Sequence, residues 1–290
     1  MKPGPVYAAH LVEDGIAVDA SPRPVKEAIF DVVMEQGWAE SAMNASELAE
    51  RWEERCISRL RVALGLHIDD GRPCTFEFNS SDQSFIQGAC FVEPCDSLDL
   101  KQAKLRRSRW VEYTAALASV SAKEFEAVCR GVLGILGVSE PEITPYSVDE
   151  GIDFFGRVKM VDIAGYPAGF PRFTDKLAFW LVGQAKHYPV GQVTTPEIRE
   201  LVGSVVLARS GEFSRRSSAY PNLAIRSCDP VFYLFFTTGL ISSYGKRLLD
   251  ASGVVGMDGP SLAAFLADSE VALVDGSFEA QELSRWIERQ

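Results

Sequence analysis

The chain has 290 residues, 47% hydrophobic and 24% charged, which predicts about two domains with ordinary cores and excludes bulk disorder. Its formal net charge of −11 argues against a protein that coats nucleic acid through bulk positive charge, while leaving local basic patches open. No apolar run is long enough to cross a membrane, and Met1-Lys2-Pro3-Gly4-Pro5 is not followed by the apolar stretch of a secretory signal, so a cytoplasmic location is expected. Cys56, Cys74, Cys90, Cys95, Cys129 and Cys228 show no C-x-x-C spacing and read as reduced thiols.

In chain order, residues 1 to about 20 read as a loose lead-in or an edge strand. Pro22 to Gln36 reads as a helix, with Val25, Ile29, Phe30 and Val33 at helical spacing. Two further helices are expected, Glu47 to about Arg55 and Ile57 to about Leu64, the second presenting Arg59 and Arg61. Asp69-Asp70-Gly71-Arg72-Pro73 is a turn, and Cys74-Thr75-Phe76-Glu77-Phe78 alternates as a strand does. Three short helices followed by a hairpin suggest a winged-helix module. Residues 1–100 are thus expected to form a smaller α+β domain for recognition or regulation. Residues 101–120 read as a basic helical linker, with Lys101, Lys104, Arg106, Arg107 and Arg109 close together.

Residues 121–290 are expected to form an α/β domain, a mixed sheet flanked by helices. Ser121-Ala122-Lys123-Glu124 is a capping box opening a helix through about Leu136. Strands follow at 142–145, 152–159 and 177–186, and Thr195 caps a helix from Pro196 to about Arg209. The apolar run Val231–Thr237 suits a strand buried on both faces. A helix over 241–249, a short strand over 254–257 and a helix over 260–266 complete the pattern.

Chemistry concentrates on two of these strands. Gly151-Ile152-Asp153 opens one, and Gly183-Gln184-Ala185-Lys186 closes the next. Phosphodiester hydrolysis needs an activated water, neutralisation of phosphate charge and help for the leaving oxygen. Mg²⁺ or Mn²⁺ serves all three if two or three oxygens hold it and room remains for water and substrate. Asp153 supplies a carboxylate, Gln184 a side-chain carbonyl and Ala185 a backbone carbonyl. Glu126, on the preceding helix, is placed to support the ion, and Lys186 projects from the same strand face as Gln184. Taken singly, each has a plainer reading: Asp153 as a strand-end residue, Lys186 and Glu126 as solvated surface groups.

With its order of elements, the segment from residue 121 to about 268 resembles the Mrr-type restriction endonuclease domain, a branch of the PD-(D/E)xK nuclease superfamily. The pieces are Lys123-Glu124-Phe125-Glu126, Val148-Asp149-Glu150-Gly151-Ile152-Asp153, Gly183-Gln184-Ala185-Lys186-His187-Tyr188, Pro196 to Gly203, and Phe235 to Ser243. In that branch glutamine commonly stands before x-Lys. The resemblance implies Asp153, Gln184 and Lys186 as the catalytic core, supported by Glu126, in bacterial restriction or phage defence. Glu150 stands where a glycine is usual, and insertions occupy Asp162–Lys176 and Ser210–Asp229.

The expected activity is a metal-dependent DNA endonuclease acting on double-stranded DNA, as a homodimer or higher oligomer because two strands must be cut. Lys104, Arg106, Arg107, Arg109, His187, Arg215 and Arg216 are candidate DNA contacts, although a solvated helix face or a strand end explains several equally well. The alternatives are a non-catalytic DNA-binding or sensor protein on the same scaffold, and a nuclease acting on junctions or RNA.

Overall fold

A computed structural model describes residues 3–144, 151–161, 177–188, 191–199, 202–203, 222–226 and 228–290. The chain divides into two compact units, Met1–Arg109 and Trp110–Gln290.

The first unit runs α1 (Pro5–Gly15), β1 (Arg23–Pro24), α2 (Val25–Glu35), α3 (Ala42–Asp69), β2 (Phe76–Phe78), β3 (Phe85–Gly88) and α4 (Leu98–Arg107). The three strands lie in the order β1-β3-β2, both pairs antiparallel. Ala8, Ala9, Ile29, Val33, Ala49, Leu60, Phe76 and Ile86 are among the residues of its core. Two sequence expectations change here. The lead-in is a helix, because Ala8, Ala9 and Val12 share a face that α2 and α3 cover. The two helices expected after Ser46 are one 28-residue helix, with Ser41 as its cap. Arg55 and Cys56 continue its hydrogen bonding, and Cys56 and Leu60 prolong its buried stripe.

The second unit opens with α5 (Trp110–Ser119) and α6 (Ala122–Ile135), so the expected linker helix is two helices broken near Ser108 and Arg109. Then come β4 (Glu142–Ile143), β5 (Phe154–Lys159), β6 (Ala178–Lys186), β7 (Gln192–Val193), β8 (Val231–Thr237) and β9 (Leu240–Ile241). The chain ends with α7 (Ser243–Ser252), β10 (Val254–Met257), α8 (Gly259–Asp268), β11 (Leu273–Val274), β12 (Ser277–Phe278) and α9 (Ala280–Glu288). Five strands form a mixed sheet in the order β10-β8-β6-β5-β4. The pair β5–β6 is antiparallel, while β6–β8 and β8–β10 are parallel. This is the expected mixed sheet with helices around it. β8, with strands on both sides, is an inner strand, as its unbroken apolar sequence requires. One face of the sheet packs Phe155, Trp180, Val182, Tyr233 and Phe235 against Val193, Ile198, Ile241 and Leu249.

Candidate catalytic and metal site

The site forms where β5 begins and β6 ends. Gly151 has φ +78°, a left-handed turn that favours glycine and sends the chain into β5. The Thr144 hydroxyl donates to the Ile152 carbonyl at 2.6 Å, and the Thr144 amide donates to the Asp153 carbonyl at 2.9 Å. These bonds fix the backbone that carries Asp153.

Phe154 pairs with Gly183, so Asp153 lies across from Gln184 one residue further on. Alternation puts both side chains on one face and the Phe154 ring on the other. That ring lies flat against Gly183: a Cβ built there would come within 2.2 Å of the ring atoms. Phe154 also stacks on Phe236, with ring centroids 5.3 Å apart. The Ala185 amide donates to Asp153 Oδ2 at 2.7 Å, which orients the carboxylate toward the end of β6.

Gln184 is 4% exposed, and its Oε1 is buried without a hydrogen-bond partner. A buried amide oxygen left unpaired costs about 1–3 kcal/mol. Such an atom, beside a carboxylate, is what a hard cation would use. Glu126 on α6 is half-buried. Burial, reinforced by the neighbouring Asp153 charge, raises its pKa above the ordinary value. The fully buried Cys129, one turn along α6, is pushed up chiefly by burial and further by the same two carboxylates. Glu126 and Asp153 therefore share one electrostatic environment, and like charges held together favour a cation between them. Among the described residues no group of three His, Cys, Asp or Glu could hold a metal, and the carboxylates they bring here are Asp153 and Glu126.

Lys186 is opposite Thr237 of β8 and, among the described residues, makes no ion pair. Its charge is felt by Glu197. Glu197 accepts from the Tyr188 hydroxyl and from the Thr194 amide, the latter at 2.6 Å. Thr194, rather than Thr195, is thus the cap of the turn over 195–199. The signal was present as Thr194-x-x-Glu197, a capping box shifted by one residue from the reading made from Pro196. Sequence reasoning missed Thr144 and Glu197; Thr144 carries no motif, and its role needs the β4–β5 pairing.

The other candidates scatter. His187 sets Nδ1 3.0 Å from Thr238 Oγ1, packs its ring 6.0 Å from Phe125, and has its pKa lowered by burial. Lys104 is committed within its own unit: its ammonium meets Asp96 at 3.0 Å and donates to the Phe91 carbonyl at 2.9 Å. A brace of that kind, 14% exposed, has little to offer a phosphate. Arg106 and Arg107 end α4, Arg109 follows it, and each has interaction partners. Arg209, Arg215, Arg216 and Glu150, with the insertion 162–176, lie outside the described residues.

Among solved structures the chain is similar to the MspJI restriction endonuclease in complex with a 27-mer oligonucleotide, at 20% identity and TM-score 0.39, over 65% of this chain and 36% of that one. The DNA modification-dependent restriction endonuclease AspBHI matches at 14% identity and TM-score 0.39, over 70% and 45%. FokI bound to DNA matches at 15% identity and TM-score 0.32, over 96% and 46%. The chain spans less than half the length of each of these. No curated protein matches it. Residues 117–214, which contain Glu126, Asp153, Gln184 and Lys186, match a family model described as Restriction endonuclease.

Proposed function

We propose that this chain is a divalent-metal-dependent DNA endonuclease, with Asp153, Gln184 and Lys186 as its catalytic core and Glu126 in support. The observation that carries the reading is the unpaired, buried Gln184 oxygen set across from Asp153. Asp153, Gln184 and Glu126, with the Ala185 carbonyl, are the groups that would hold Mg²⁺ or Mn²⁺. When bound, the ion supplies charge neutralisation at the phosphate and acidifies a water. Asp153, oriented by the Ala185 amide, is placed to hold that water through an acceptor oxygen. Lys186 offers its ammonium to the phosphate oxygens as negative charge builds on them. The water oxygen bonds to phosphorus, the bridging P–O bond breaks, and the leaving oxygen takes up a proton.

Double-stranded DNA is the substrate class, a role in bacterial restriction or phage defence fits the domain, and the amino-terminal unit serves recognition or regulation. The test is cleavage of supercoiled plasmid with Mg²⁺ or Mn²⁺. Asp153→Ala and Lys186→Ala are expected to abolish it; wild-type cutting by either overturns the assignment. A second reading, a non-catalytic DNA-binding sensor, is favoured by Gln184, an amide that binds a cation more weakly than a carboxylate would, and by a site with two carboxylates among the described residues. Calorimetry separates the two: DNA binding without any Mg²⁺ or Mn²⁺ binding would select the sensor.

A further inference from the structure

One threonine at the end of β8 holds the three residues that close β6. The two strands run parallel, with Lys186 opposite Thr237. The last backbone bond between them runs from the Thr238 amide to the Lys186 carbonyl at 3.3 Å. The Tyr188 amide, next in the alternation, donates not to a carbonyl but to Thr238 Oγ1 at 2.8 Å. The same oxygen lies 3.0 Å from His187 Nδ1. Thr238 therefore engages Lys186, His187 and Tyr188 in turn, and it is 5% exposed.

Thr238 is itself wedged in place. On one side, a Cβ built at Gly239 would lie 2.9 Å from the carbonyl oxygens of Tyr188 and Gly191. On the other, the Gly259 amide donates to the Gly239 carbonyl at 2.9 Å, and a Cβ at Gly259 would come within 2.2 Å of the Thr238 carbonyl oxygen. Gly259 opens α8 behind Asp258. The fully buried carboxylate of Asp258 meets Lys246 of α7 at 3.1 Å and accepts from the Ser261 amide and hydroxyl at 3.2 and 2.6 Å. A loop packed this closely has little room to shift, so Thr238 grips the end of β6 from a fixed point.

The hydroxyl also selects a histidine tautomer. It carries one hydrogen. The Tyr188 amide takes one of its lone pairs, and among the described residues the acceptor within reach of its hydrogen is His187 Nδ1. An Nδ1 that accepts leaves the ring proton on Nε2. Burial lowers the pKa of this imidazole, which favours the neutral ring that such a bond requires. Nε2 has no protein partner among the described residues and is not a buried orphan, so its N–H is open to an acceptor. We propose that Thr238 is a positioning residue for the site: it fixes the backbone around Lys186 and holds His187 as the Nε2–H tautomer, an uncharged donor for a phosphate oxygen one residue beyond the lysine. The phosphate rests on the nuclease reading; the clamp and the tautomer do not.

The test joins a spectrum to a rate. The chain has three histidines, so a nitrogen–proton correlation spectrum of the imidazoles in the full chain reads the tautomer, with His187→Gln to mark the His187 signals. In the wild type Nδ1 is expected bare and Nε2 protonated; a proton on Nδ1 overturns the proposal. Thr238→Val keeps the shape and removes the hydroxyl. It is expected to move the His187 nitrogens toward the mixture of tautomers that free imidazole shows, and to slow single-turnover plasmid cleavage on the order of tenfold to a hundredfold. Thr238→Ser keeps the hydroxyl and should hold the wild-type tautomer, with a rate within about threefold of wild type. Unmoved His187 signals in the valine variant overturn the proposal, and so does wild-type cleavage once those signals have moved. If the wild type does not cut, the nuclease reading fails separately and the spectrum alone decides the clamp. If the valine variant melts early, Thr238→Ala, which leaves room for a water at the Tyr188 amide, is read in its place with the same outcomes.

Discussion

Gln184 separates stability from function at a single atom. Its Oε1 is buried and unpaired, a cost the fold bears without an evident structural return. Gln184→Met keeps the length and removes the orphan. We expect stability to rise by about 1 kcal/mol, or about 2–4 °C in Tm, while plasmid cleavage is lost. Differential scanning fluorimetry beside the plasmid assay checks this, and a lower Tm with cleavage intact contradicts the role given to the oxygen. Asp229 makes the opposite kind of statement. Paired hydrogen bonds from Arg226, at 2.7 and 2.9 Å, hold its carboxyl down at about 2, helped by the Arg226 amide and the Trp180 indole. Because the folded value lies below the ordinary 3.8, its contribution is present above about pH 4 and is lost as pH falls through about 2. Asp229→Asn should therefore lower Tm at neutral pH and flatten the Tm–pH curve between those limits. An unchanged slope there would show that other carboxylates dominate acid unfolding.

At the scale of elements, the two strands that carry the candidate site are aligned by one contact on the reverse side of the sheet. Phe154 precedes no chemistry itself, yet it follows Asp153, and Gly183 precedes Gln184; the ring seated on that glycine sets the register of both. Gly183→Ala places a methyl where the ring lies. We expect a loss of about 1–3 kcal/mol from overpacking, with cleavage falling further than stability alone explains, because the strands separate beside Asp153. Phe154→Leu in the same background should recover part of both; no recovery would mean that the ring contact is not the cause. Much of this was legible in the sequence. The capping box at Ser121 and Glu124, the alternation around Gln184 and Lys186, and the apolar β8 each follow local rules. What local rules missed depends on partners far along the chain. α1 reads as a loose lead-in until α3 covers its alanines, and α3 reads as two helices until its stripe meets one continuous core. The Phe154–Gly183 seat exists only once β5 and β6 pair. Lys104 reads as a DNA contact until the fold brings Asp96 and Phe91 to it.

At the scale of the whole molecule, a net charge of −11 and the proposed DNA substrate are reconciled only if contact is local. The candidate ligands Asp153 and Glu126 add to the negative charge until a cation offsets it, so productive binding at the site is tied to the ion. The described residues of the chain build one such site, and one site hydrolyses one phosphodiester at a time. The strands of a duplex are antiparallel, so a site aligned with one strand cannot meet the other without rebinding in the opposite sense or recruiting a second copy. Supercoiled plasmid should accordingly pass through a nicked intermediate. Nicking should rise linearly with protein concentration, and linearisation more steeply, approaching the square where two copies act together. Mixing wild type with Lys186→Ala sharpens the measurement: the inactive chain should suppress linearisation more strongly than nicking, because mixed pairs still cut one strand. Linear product that forms in direct proportion to protein, without a nicked intermediate and without suppression by the inactive chain, would require a single copy to cut both strands. That outcome would rule out pairing as the route to double-strand cleavage.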